Sequence, residues 1–139
     1  MRTALAAAVL TCALCATAAL AQDGPAPSPL NAMEFDARTV GRTITYSAGG
    51  EPYGVEQYLP GRRVLWAFTE SECKEGTWFP AGDQICFDYH DDSGLQCWTF
   101  FDTPQGLSAK FQGDDAAEPL VSLSESPDPL ACHGPDLGV

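Results

Sequence analysis

The sequence predicts a mainly β fold, a small antiparallel β-barrel or rolled meander of about eight strands with one short N-terminal helix, stapled by disulfides. Three observations carry that expectation. Beyond Gly41 the apolar residues recur with a period of two, and Gly, Pro and Asp clusters interrupt them every eight to twelve positions or so, as in a meander. The chain also opens with an export signal, and it carries an even number of cysteines beyond that signal.

The signal is read from Arg2, an uncharged apolar stretch over 4–20, and Ala19-Leu20-Ala21 ahead of Gln22-Asp23. A positive start, an apolar centre and an A-x-A site make residues 1–21 a removable address, cleaved after Ala21, with no membrane span left in the remainder. Cys12 and Cys15 would leave with it; neither follows the small residue that a lipid-attachment site needs. Residues 22–30, rich in proline, form an extended leader, and 31–139 form a single β domain.

Within that domain Asn31 is placed to cap a helix, and Glu34 three residues on completes a capping box. Leu30 and Phe35 stand at the positions of a hydrophobic staple, and Val40-Gly41 supplies an end, so a helix is expected over 32–40. Strands are expected at 42–47, 53–59, 63–69, 76–79, 84–89, 96–101, 107–112 and 120–124. Ile44 and Tyr46 share a face of the first, and Val64, Trp66 and Phe68 share a face of the third. From Pro127 onward the chain should be irregular.

Cys73, Cys86, Cys97 and Cys132 remain after processing. In 84–89, Ile85, Phe87 and Tyr89 share one face and Cys86 lies opposite; in 96–101, Trp98 and Phe100 share one face and Cys97 lies opposite. A hairpin register that faces Cys86 with Cys97 also faces Ile85 with Trp98, so one register satisfies both the sulfurs and the apolar pattern. Cys73 with Cys132 follows by elimination. Zinc is disfavoured because no C-x-x-C pair exists. Eight strands with one apolar face must then close into a barrel or stack as a sandwich; a small barrel is favoured, with the helix plugging one end or covering an edge.

Charge excludes one class of partner. Without Arg2 the chain holds 6 basic residues against 19 acidic ones, a net charge of −13, and would be repelled by nucleic acid and anionic lipid. A basic protein remains an admissible partner. Serine-hydrolase chemistry is disfavoured, since neither His90 nor His133 accompanies a G-x-S-x-G motif, and no cofactor is called for. Asp88, His90, Asp91 and Asp92 crowd one hairpin end and are weak candidates for a metal, although Asp and Gly are ordinary turn residues.

The aromatic residues are more suggestive. Tyr58, Phe79 and Phe101 fall on the opposite parity from the main apolar residues of their strands, so some rings exceed what one apolar face can hide. A small barrel can use such rings as a cup for an apolar ligand. Glu56, Gln57 and Tyr58 are grouped with the turn at Pro60-Gly61, where Arg62 and Arg63 could bind a carboxylate or phosphate. Tyr58, Arg62, Arg63, Trp66 and Phe101 are the candidate binding residues.

The run from Tyr53 to Val64 (Tyr-Gly-Val-Glu-Gln-Tyr-Leu-Pro-Gly-Arg-Arg-Val), followed by Cys73, Gly76, Trp78, Ile85-Cys86, Tyr89 and Cys97-Trp98, resembles a family of small exported hypothetical proteins of alphaproteobacteria. The resemblance spans about residue 32 to the end and implies a periplasmic setting in a Gram-negative cell, but no functional residues. A more distant likeness is to periplasmic lysozyme inhibitors, acidic disulfide-bearing barrels that bind a basic enzyme; their inhibitory loop motif is absent here. The expectation is a periplasmic or secreted, non-catalytic binding or interaction module whose sheet presents aromatic residues to an unidentified small apolar ligand or protein partner. An acidic inhibitor of a basic cell-wall hydrolase is the alternative, and a metal-dependent enzyme using His90 is a third.

Overall fold

A computed structural model describes residues 24–68 and 73–132 of the 139-residue chain. The expected signal peptide, Thr69 and His133 lie outside the described residues. Residues 24–30 carry no regular structure, and the first element is the helix α1, Ala32–Thr39. The capping box forms: Asn31 Oδ1 accepts from the N–H groups of Met33 and Glu34, and Glu34 Oε2 accepts from the Asn31 N–H at 2.9 Å. Val40 ends the helix, and Gly41 follows at φ 77°, a conformation glycine adopts without steric cost.

Eight strands follow: β1 (Thr43–Ala48), β2 (Glu51–Leu59), β3 (Arg63–Ala67), β4 (Lys74–Ala81), β5 (Gln84–Asp88), β6 (Gln96–Thr103), β7 (Gly106–Phe111) and β8 (Leu120–Ser126). Each pairs antiparallel with the next, and β8 pairs back onto β1, so the sheet closes into a barrel without an open edge. Register shifts against both neighbours fall between Thr45 and Ser47 of β1, where a bulge bends the strand into the closure.

Helix α1 plugs one end. Phe35 is fully buried and meets Tyr58, Trp78, Phe87 and Phe100, from four different strands, at ring-centroid distances of 5.6, 5.0, 6.3 and 4.5 Å. Leu30 packs against the same core and donates its N–H to the Phe100 carbonyl at 2.8 Å. From the outer side, Arg38 grips Glu125 of β8 through both terminal nitrogens, at 2.8 and 2.6 Å, and donates to Asp102 from Nε at 3.2 Å. Arg38 thereby holds the Glu125 carboxyl below its usual range.

Both expected disulfides form, one as the hairpin register requires and the other as elimination leaves it. Cys86 pairs with Cys97 across β5 and β6, beside Ile85 opposite Trp98, and Cys73 bonds Cys132. Beyond β8 the irregular segment 127–132 is pinned on the way to Cys132: Thr43 Oγ1 donates to the Asp128 carbonyl, and the Leu130 N–H donates to Gln57 Oε1. The two disulfides belong to an oxidising environment. Among the described residues no helix is long and apolar enough to cross a membrane.

One expectation needs correcting. The sequence places Tyr58 opposite the main apolar residues of its strand and groups Glu56 with the polar residues of the next turn. Gly54, Glu56 and Tyr58 face the interior instead. The cause is register: Tyr46 pairs with Gly54 and Ile44 with Glu56, and residues paired across a ladder share a face.

Candidate functional site

At the end opposite α1 the barrel is hollow. A cavity of about 170 Å³ is lined by Tyr46, Tyr58, Trp66, Phe87, Tyr89, Trp98 and Phe100 together with Glu56, and its rim carries Tyr53, Phe68, Lys74, Ser93 and Gln96. An apolar cavity of roughly 150 Å³ holds one benzene, which sets the size of an occupant. A second hollow of about 320 Å³, reaching Ala117 and Glu118, adjoins the cup and shares Tyr53, Gln96, Trp98 and Leu120 with it.

Two glycines create the room that the large rings occupy. A Cβ on Gly54 would stand 2.3 Å from the Trp66 indole, and one on Gly76 would stand 2.8 Å from the Tyr89 ring. Indole and phenol therefore approach bare backbone. Tyr89 stacks on Phe87, two residues earlier on the same face, at 6.2 Å. At the rim Tyr53, Trp66 and Phe68 form a three-ring cluster with centroids 5.4 to 5.9 Å apart. Tyr53 is 40% and Phe68 46% exposed, so apolar surface continues from the cup to solvent.

Glu56 is the polar centre. It is only 3% exposed, faces the cavity, and its carboxyl accepts from the Tyr89 hydroxyl at 3.0 and 3.2 Å. Burial pushes this carboxyl well above the usual range, and the Tyr89 hydrogen bond offsets only part of that. Burial also raises the phenol of Tyr89. Deeper in, the Tyr46 and Tyr58 hydroxyls share a hydrogen bond of 2.7 Å, and burial raises both. Among the described residues no guanidinium or ammonium bonds the Glu56 carboxyl. Lys74, on the inward face of β4 at the rim, pairs with Asp91 at 2.5 Å and so straps β4 to the 89–95 loop.

No family model, curated protein or solved structure matches this chain. Its site is therefore read from its own geometry.

Of the candidate binding residues, Tyr58 and Trp66 line the cup. Arg62 lies in the β2–β3 turn at the plugged end and Arg63 opens β3; Arg62, at φ 58°, places its guanidinium 4.8 Å from the Trp78 ring centroid, and Arg63 Nε donates to the Pro60 carbonyl at 3.4 Å. Phe101 sits on the outer face of β6, half-buried, beside the inward Phe100. The acidic hairpin end is built as a turn. Asp88 Oδ1 accepts from the His90 N–H at 2.8 Å, and Asp91 Oδ1 accepts from the Ser93 N–H at 2.9 Å. Asp92 is exposed beside them. Among the described residues no three His, Cys, Asp or Glu side chains are grouped to hold a metal ion.

Sequence reasoning missed Glu56. Its signal was the alternation Gly54, Glu56, Tyr58, which can be taken as an inward row only once β1 and β3 fix the register.

Proposed function

We propose that this chain is an exported, non-catalytic binding protein of the periplasm or the extracellular space, and that the aromatic cup of its barrel holds a small, largely apolar ligand. The observation that carries the reading is the buried Glu56 carboxyl in a cavity walled by rings, with no cationic partner among the described residues. A barrel interior filled for stability alone would place an apolar side chain there, because an unpaired buried acid costs free energy. The cup has the other marks of a ligand site: concave, mostly apolar, and equipped with a few convergent polar groups, here Glu56 with Tyr89 and the Tyr46–Tyr58 pair. The signal-like pattern read in residues 1–21 and the disulfides support the exported setting.

The three tryptophans provide the test. Trp66 and Trp98 line the cup, whereas Trp78 packs under α1 against Phe35 at the closed end. Titration with toluene, cyclohexanol and benzylamine, followed by the indole N–H resonances, is expected to shift Trp66 and Trp98 and leave Trp78 in place. If no probe in that set moves Trp66 or Trp98 beyond Trp78, the cup is not a binding site.

A further inference from the structure

We infer that the ligand of the cup is a small organic monocation, an ammonium carrying apolar substituents, seated between the aromatic walls with its charge against Glu56. This rests on the reading of the barrel as a ligand-binding cup and adds the ligand's chemical class.

Register sets the arrangement. Ile44 of β1, Glu56 of β2, Trp66 of β3 and Lys74 of β4 are successive partners around the barrel, so one inward row places the carboxyl next to an indole, with the ammonium of Lys74 at its lip. Tyr89 faces the carboxyl from beyond β5, and Trp98 lines the same cavity from β6. Aromatic faces carry negative quadrupole potential, and a cation held over several of them in a desolvated site gains from each. An aromatic wall with one acid, and no basic partner for it among the described residues, matches an alkylammonium in shape and charge.

The surroundings agree. The titratable groups around Glu56 are the phenols of Tyr46, Tyr58 and Tyr89, with Tyr53 and Lys74 at the rim. Lys74 is the one base lining the cup among the described residues, and Asp91 engages it on the loop side. Glu118 lines the adjoining hollow. The chain as a whole carries a charge of −12, which raises the local concentration of cations at its surface. A cation in place would also favour the ionised form of the buried carboxyl, for which no side chain among the described residues provides a counter-charge.

The test uses three probes of nearly one shape and different charge: choline, its neutral isostere 3,3-dimethylbutan-1-ol, and the anion 3,3-dimethylbutanoate. Affinities are measured by calorimetry and by the Trp66 and Trp98 indole resonances. Choline is expected to bind about tenfold more tightly than the alcohol at pH 8, with the anion weakest. Choline affinity should fall as the pH is lowered, as protons compete for the carboxyl. Glu56→Gln keeps the acceptor for Tyr89 and should abolish both the charge preference and its pH dependence. Equal binding of choline and the alcohol, or tighter binding of the anion, overturns the inference while leaving the cup reading intact. Absence of all three from the cup overturns both. The wild-type charge series decides the matter even if the variant does not fold.

Discussion

Glu56 shows how a single side chain can oppose the stability of the fold that holds it. Its carboxyl is desolvated, receives one phenolic hydrogen bond, and is raised well above the ordinary value. A carboxyl whose value is raised on folding contributes stability in full below its unfolded value, and that contribution is lost as pH rises through the folded one. Wild type should therefore lose stability relative to Glu56→Gln as pH rises above about 4.5. At pH 8 the variant is expected to be more stable by about 1–3 kcal/mol, the scale of an uncompensated buried polar group. Urea unfolding at pH 4 and pH 8 measures this; parallel pH profiles for the two proteins would show that Glu56 is not buried as described.

The helix and the sheet are joined by chemistry that the capping pattern does not reveal. The capping box defines where α1 begins, and Phe35 provides its apolar anchor, but its docking on the barrel also depends on Arg38 bridging Glu125 of β8 and Asp102 of β6. Both Arg38 and Glu125 are about four-fifths shielded from water, which makes this pair stronger than a fully exposed one. Replacing Glu125 by Gln should cost about 1–2 kcal/mol at pH 7. Because the Glu125 carboxyl is lowered in the fold, its contribution is present above its unfolded value and disappears as pH falls through the folded one. The gap between wild type and Glu125→Gln in thermal unfolding should accordingly close under acid conditions; a gap that persists there would assign the loss to packing instead.

In the molecule as a whole, two disulfides restrain loops of very different length. Cys86 and Cys97 are 11 residues apart and Cys73 and Cys132 are 59 apart, so the chain-entropy model assigns about 3 and about 4 kcal/mol to them. Removing the Cys73–Cys132 pair as a double alanine variant should lower the denaturation midpoint more than removing Cys86–Cys97. The reverse order would mean that the β5–β6 bridge acts through native packing of the hairpin rather than through the unfolded chain. The long bridge also has a positional role: it joins the segment after β8 to the start of β4, next to Lys74 at the rim of the cup.

The local pattern was sufficient for the elements and much of their pairing. Helix boundaries followed from Asn31, Glu34 and Gly41, strand positions from period-two alternation between turn residues, and the disulfide pairing from the shared parity of Cys86 with Cys97 and Ile85 with Trp98. Tyr58 and Trp66 were legible as site residues because aromatic rings on strands stand out against polar neighbours. Glu56 was not, because a glutamate between turn signals reads as a solvated group, and only the register of β2 against β1 and β3 turns it inward. The arginines at the β2–β3 turn and the acidic hairpin end drew attention by composition, yet the fold carries the arginines to the plugged end and uses Asp88 and Asp91 to shape a loop. Element identity depends on residues close in sequence, whereas a cavity is made by residues that meet only when β8 closes on β1, and its chemistry is set by which side chains that closure turns inward.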